Sequence, residues 1–127
     1  MNKKIFATFS LLFFVLLAGL TNATPDPKKL TEEQKITHLI KYIREMDGAV
    51  FIRNGSEYSA ARAAEHLELK RENAGSRIKT AEDFIKVLAS KSSMSGKPYY
   101  IRLKDGRKLP AEQVLMKELK RIETSKS

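Results

Sequence analysis

Two dipeptides constrain this chain more than anything else in it. Asn54-Gly55 and Asp105-Gly106 are pairs that accept the positive φ angles of a tight hairpin turn. Each follows a short run rich in β-branched and aromatic residues, Ala49 to Arg53 before the first and Tyr99 to Leu103 before the second. Each leads into a brief return strand, Ser56 to Tyr58 and Arg107 to Leu109, and then into a helix start, with Ser59 as a cap and Pro110 suited to a first helical turn. FIRNGSEYSAARAA and IRLKDGRKLPAEQVL therefore share one order of elements at an offset of 51 residues, although Leu67 then falls on Glu118.

Helical periodicity fills the space around the hairpins. Thr31 and Gln34 form a capping box ahead of Ile36, Leu39, Ile40 and Ile43, with His38 expected on the solvated side and Gly48 as the stop. A second helix runs from Ala60 to about Asn73, ended by Gly75. Its inner face is made of Ala60, Ala63, Ala64 and Leu67, and Arg62, His66 and Lys70 follow along the edge of that face. Thr80 and Asp83 cap a third, which turns Ala81, Phe84, Ile85 and Leu88 inward, and a fourth packs Ala111, Leu115, Leu119 and Ile122. Ser90 to Gly96, with four serines in seven residues, cannot continue an apolar stripe and is a loop. The pattern predicts one α+β domain over residues 31–123, a small antiparallel sheet from two β-hairpins packed with about four helices, followed by a polar tail at 124–127.

The N-terminus sets the expected compartment. A basic start, an apolar run from Ile5 to Leu20 and the small residues around Thr21-Asn22-Ala23 match a cleaved secretory signal over residues 1–23; the run is short for a bilayer span. Residues 24–30, with Pro25 and Pro27, form an extended linker. Cleavage removes Lys3 and Lys4, which lowers the formal charge from +9 to +7. A basic periplasmic or secreted protein meets anionic envelope components or other envelope proteins, so no nucleic-acid partner is expected, and no transmembrane segment remains after cleavage. The absence of cysteine removes disulfides, thiolate catalysis and thiolate metal sites together.

No motif carries a reaction. Ser76-Arg77-Ile78-Lys79 has the serine–lysine spacing of penicillin-recognising enzymes but follows the helix break at Gly75, and Lys79-Thr80-Ala81 lacks the glycine of their second motif. Ser95-Gly96-Lys97 resembles the end of a phosphate loop, yet Lys91 stands where its first glycine belongs and Pro98 where its metal-binding hydroxyl belongs. Two histidines without a cluster predict no metal and no cofactor. His66 activating Ser92, Ser93 or Ser95 as a hydrolase is the enzymatic alternative; against it stands the plainer account of serines bracing a tight loop. His66, Lys70, Arg77, Ser92, Ser93, Ser95 and Lys97 are the candidate binding residues, able to grip an anion through charge-assisted hydrogen bonds without a nucleophile.

AAEHLELK from Ala63 to Lys70, followed by RIKTAEDFI and VLASKSSMSGKPY, resembles the YfeK-like family of small exported bacterial proteins, a domain of unknown function. The likeness covers about Phe51 to Ile122. It implies an exported protein and puts His66, Lys70, Arg77, Thr80, Ser90, Ser92, Ser93, Ser95, Gly96, Lys97, Pro98 and Tyr99 at motif positions, without assigning them roles. The expected function is a non-enzymatic envelope module that binds an anionic or protein partner. The serine-loop hydrolase and a structural or inhibitory module are the alternatives. Mass spectrometry of the protein from its native host should find Thr24 at the N-terminus; an intact Met1 form held in the membrane would refute export by cleavage.

Overall fold

The computed structural model describes residues 29–125. The expected signal segment 1–23, most of the expected linker and residues 126–127 lie outside them. The chain folds as α1 (Glu32–Arg44), β1 (Val50–Arg53), β2 (Ser56–Ser59), α2 (Ala60–Ala74), α3 (residues 81–89), β3 (Tyr100–Arg102), β4 (Lys108–Pro110) and α4 (Ala111–Thr124), with a 3-10 turn at Gly75–Arg77. It is an α+β fold: four helices and a four-stranded antiparallel sheet made of two hairpins.

The strand order is β2-β1-β3-β4, so the two hairpins meet through their first strands. Register puts Tyr58 opposite Phe51, Phe51 opposite Ile101, and Ile101 opposite Leu109, which draws one apolar row across all four strands. Because strand side chains alternate, that row shares one side of the sheet. The helices cover it: Phe51 and Ile101 join Ile36, Leu39, Ile40, Ile43, Phe84, Ile85, Leu115 and Leu119 in a single core. On the other side Arg102 makes a two-pronged bond to Glu57 across the sheet, and Lys108 lies over the Tyr100 ring.

The two turns differ. Asn54 (φ 50) and Gly55 (φ 81) are both left-handed, as a two-residue type I′ turn requires. In the second hairpin only Gly106 has positive φ, and the bonds Gly106 N–H to Leu103 O and Leu103 N–H to Arg107 O make a longer loop, so Asp105-Gly106 does not repeat the first turn. Gly48 (φ 72) serves the bend into β1 and does not end α1, which closes at Arg44 with Glu45 as its cap. Thr124, placed in the polar tail from sequence, belongs to α4.

His38 corrects another expectation. Its Nε2 lies 2.6 Å from a carboxylate oxygen of Glu118, a residue only 5% exposed that also accepts from Arg121. The helical wheel marked His38 as outward, but α4 packs beside α1 and supplies a buried carboxylate there. A second tie between these helices runs from Lys35 Nζ to Glu123 at 3.0 Å. The Glu32 carboxylate accepts the Ala81 N–H at 2.8 Å and so helps cap the start of α3.

α3 is α-helical only over Ala81–Asp83, capped by Thr80, and π-helical over Phe84–Ala89. Phe84, Ile85, Leu88 and Ala89 are all buried, because i, i+1, i+4 and i+5 face the core in either geometry, which is why periodicity did not separate them. Phe84 is fully enclosed. Replacing it with alanine should cost about 3 to 5 kcal/mol, read as a lowered urea midpoint at unchanged m; an unchanged midpoint would mean the residue is not in the core.

Candidate functional site

A cavity of about 250 Å³ opens between α2 and the helix-facing side of β1 and β2. Its interior is apolar, formed by Ile43, Phe51, Leu67, Ile101 and Leu115; Arg53, Tyr58, His66 and Tyr99 supply polar groups of its wall, and the exposed Arg62 and Glu65 stand at its edge. Arg53 is there because of strand alternation: two residues from Phe51, it shares the helix-facing side, at the end of β1 where the type I′ turn begins. The tight turn brings Tyr58 back opposite Phe51, diagonal to Arg53. Ser59 then caps α2 through its bond from Arg62 N–H, and the helix folds over the hairpin with its His66 edge toward Arg53.

The contacts are close. Arg53 Nη1 donates to His66 Nε2 at 2.8 Å, Nη2 donates to the Tyr58 hydroxyl at 3.2 Å, and the guanidinium carbon lies 5.1 Å from the Tyr58 ring centre. One helical turn on, Lys70 Nζ donates to Leu88 O at 2.7 Å, to the Tyr99 hydroxyl at 3.2 Å and to Lys91 O at 3.4 Å. It thus caps the C-terminal carbonyls of the π-helical segment with a positive charge, where the helix dipole favours one. Lys70 does not line the cavity.

Among the described residues neither Arg53 nor Lys70 has a carboxylate partner. Glu65, the one carboxylate of the wall, is exposed and stands 4.0 Å from Arg62. The imbalance shows in the titration of the group. Burial, reinforced by the nearby Arg53 charge, brings the Lys70 ammonium down from 10.5 to about 8. Burial first, then the charges of Arg53 and Lys70, lowers His66. The bond from Arg53 holds the Tyr58 hydroxyl below its ordinary value, and burial raises Tyr99.

The residues expected from sequence divide into two sets. His66 and Lys70 belong to the cluster. Arg77 does not: it turns back on α2 and donates to Ala74 O and Asn73 O, both at 3.1 Å. Ser92 is buried and its Oγ accepts from the Met94 and Ser95 amides at 3.3 Å. Ser95 Oγ donates to Asn54 Oδ1 at 2.6 Å, which ties the loop to the first hairpin turn, while Ser93 and Lys97 stay exposed. Among the described residues no serine lines the cavity, and the two His66 nitrogens lie 2.8 and 3.5 Å from Arg53 Nη1. Arg53, Tyr58 and the role of Tyr99 escaped the sequence because they come from three separate strand ends. The available signal was an arginine on the same strand face as Phe51.

A model of a family of unknown function (DUF5329) matches residues 30–123. The chain is also 41% identical over 68 residues to an uncharacterized protein, YfeK, of Salmonella typhimurium, an alignment covering 54% of this chain and 57% of that one. The chain thus spans somewhat over half the length of this curated relative. No solved structure matches.

The depressed Lys70 has a defined effect on stability. Its folded value, about 8, lies below the 10.5 of the unfolded chain, so the penalty on the folded state is full below about 8 and is relieved as pH rises toward 10.5. Across that window the unfolding free energy should move in favour of the unmodified protein relative to Lys70→Met. Parallel denaturant titrations of the two read this directly, and a difference independent of pH would refute the shift.

Proposed function

Since the chain belongs to DUF5329, a family of unknown function, we propose from its own residues that it is an exported, non-enzymatic module that binds an anionic molecule in the cavity beneath α2. The observation that carries this is an apolar cavity whose wall holds Arg53 and His66 with, among the described residues, no carboxylate bonded to either. Arg53 sits partly buried with only neutral partners, the Tyr58 hydroxyl and the His66 imidazole, and no negative charge bonded to it among the described residues. An incoming anion would complete the set through charge-assisted bonds while its apolar part filled the cavity.

Export rests on the N-terminal pattern and fits a periplasmic or secreted protein with a formal charge of +7 from Thr24 onward. Among the described residues no helix is long and apolar enough to cross a membrane. Against the serine-loop hydrolase stand the bonds of Ser92 and Ser95 within the loop and with Asn54, the contact of His66 with Arg53, and the exposed position of Ser93 outside the cavity lining. A structural or inhibitory role would leave the unpaired Arg53 without a purpose.

A direct test uses 2-naphthalenesulfonate, an anion with a flat apolar body, and its neutral counterpart 2-naphthalenemethanol in calorimetric titrations of the chain from Thr24. The sulfonate should bind saturably at one site and more tightly than the alcohol. Arg53→Gln, shown to be folded by circular dichroism, should weaken it by roughly tenfold or more, as expected for a lost bond between charged groups of about 1.5 to 3 kcal/mol. Equal binding of both probes by both proteins would refute an anion site.

A further inference from the structure

Within that reading, and resting on it, the cavity and its wall specify a chemical class. We infer that the ligand is a monocarboxylate with an apolar body of about ten carbon atoms, and that His66 takes up a proton as it binds. The size follows from the volume: a cavity of roughly 150 Å³ accommodates benzene, so about 250 Å³ admits about ten carbons at the same volume per carbon.

The head group follows from the charges. Arg53 is the permanent cation placed on the inner wall, since Arg62 is exposed and beside Glu65, and Lys70 is turned onto the carbonyls of Leu88 and Lys91. One fixed positive charge matches one negative charge. A dianionic phosphate would need a second permanent cation there, whereas Arg62, the other arginine of the lining, is exposed and stands beside Glu65, and His66 is neutral before the ligand arrives. The planar guanidinium also matches a carboxylate, whose two oxygens can take its two parallel N–H bonds.

The proton follows from the hydrogen bond. A guanidinium has no acceptor, so Arg53 Nη1, 2.8 Å from Nε2 and 3.5 Å from Nδ1, can donate only to a neutral ring, and the imidazole is neutral in the empty site. The groups around it are Arg53 from β1, Tyr58 from β2, Tyr99 from the segment before β3, and Arg62 and Lys70 one turn to either side on α2, with Glu65 adjacent. The cations among them oppose a further positive charge. A carboxylate drawn to Arg53 takes over the guanidinium hydrogens and places a negative charge beside the ring. Both changes favour imidazolium, which then donates Nε2–H to the ligand. The sign is definite: His66 has a lower affinity for protons in the empty site than in the filled one, so ligand affinity falls as pH rises between the two values.

The experiment titrates 2-naphthoate, with 2-naphthyl phosphate and 2-naphthalenesulfonate as comparison anions, into the chain from Thr24 at pH 6, 7 and 8. The carboxylate of the probe is ionised throughout, as carboxylates titrate near 4, so the pH dependence belongs to the protein. Naphthoate should bind tightest of the three, its affinity should fall by about tenfold from pH 6 to pH 8, and titrations at pH 7 in two amine buffers, Bis-Tris and Tris, should show proton uptake approaching one per ligand. His66→Gln keeps an acceptor for Arg53 but cannot take a proton, so it should retain binding at pH 8 and lose both the uptake and the pH dependence. Uptake that persists in His66→Gln would assign the proton to another group, Lys70 first, and overturn the role of His66. Sulfonate or phosphate binding with naphthoate no better would overturn the carboxylate while leaving an anion site in place. If no anion binds more tightly than 2-naphthalenemethanol, the inference falls together with the functional reading beneath it.

Discussion

Phe51 and Ile101 face each other across the middle of the sheet, and the fold depends on that pairing. A two-stranded hairpin alone is marginal in water, and this chain has two of them. Joining their first strands turns two narrow ribbons into one surface, with the apolar row from Tyr58 to Leu109 as the seat for the helices. Each hairpin then leads at once into a helix that folds back over its own strands, α2 from Ser59 and α4 from Pro110. The recurrence seen in the sequence is therefore a structural one, two ββα units related across β1 and β3. The offset between them is 50 residues at Phe51 and Ile101 and 51 at Ala60 and Ala111, because the second turn holds one residue more.

That arrangement leaves two cations in half-buried positions, and they are handled differently. Lys70 meets the Leu88 carbonyl at the end of α3, the Lys91 carbonyl just beyond it and a tyrosine hydroxyl, so its bonds are made within the chain and its burial appears as a depressed pKa. Arg53 meets an imidazole and a hydroxyl, both neutral acceptors, at the wall of a cavity. An arginine cannot relieve its burial by losing a proton, since it stays charged at any ordinary pH. The remaining relief is a negative charge from outside. The fold thus positions the Arg53 charge at the cavity wall beside neutral partners only.

Much of the fold was legible because it rests on local chemistry. The caps at Thr31, Ser59 and Thr80, the left-handed pair Asn54-Gly55 and the apolar stripes of the helices each need only a few neighbouring residues to be recognised. What escaped depends on residues distant in sequence. His38 looked solvated until α4 brought Glu118 against it, and the π-helical geometry of Phe84–Ala89 buries the residues an α-helix would bury. The site was half legible for the same reason: His66 and Lys70 lie one turn apart on a helix, while Arg53, Tyr58 and Tyr99 converge only through strand register. The serines drew attention by composition, yet a loop with that many hydroxyls uses them to hold its own amides.

The two units also explain why the cavity lies under one helix and not the other. At matched positions α2 carries Ala63, Ala64 and Leu67 where α4 carries Val114, Leu115 and Glu118. The second unit fills its space with larger aliphatic side chains, and its buried Glu118 is bonded by His38 and Arg121. The first presents methyl groups to the sheet, and small side chains on a helix that is held at a distance leave a void. α2 is held by contacts at its edges: Lys70 to Leu88 and Tyr99 on one side, and Arg71 to Thr37 and Glu33 on the other. Leu115 and Ala111 of the second unit reach across to form part of the cavity's far wall. An approximate repetition of one ββα unit has thus produced a half that is packed and a half that is open, and the unneutralised arginine lies in the open one.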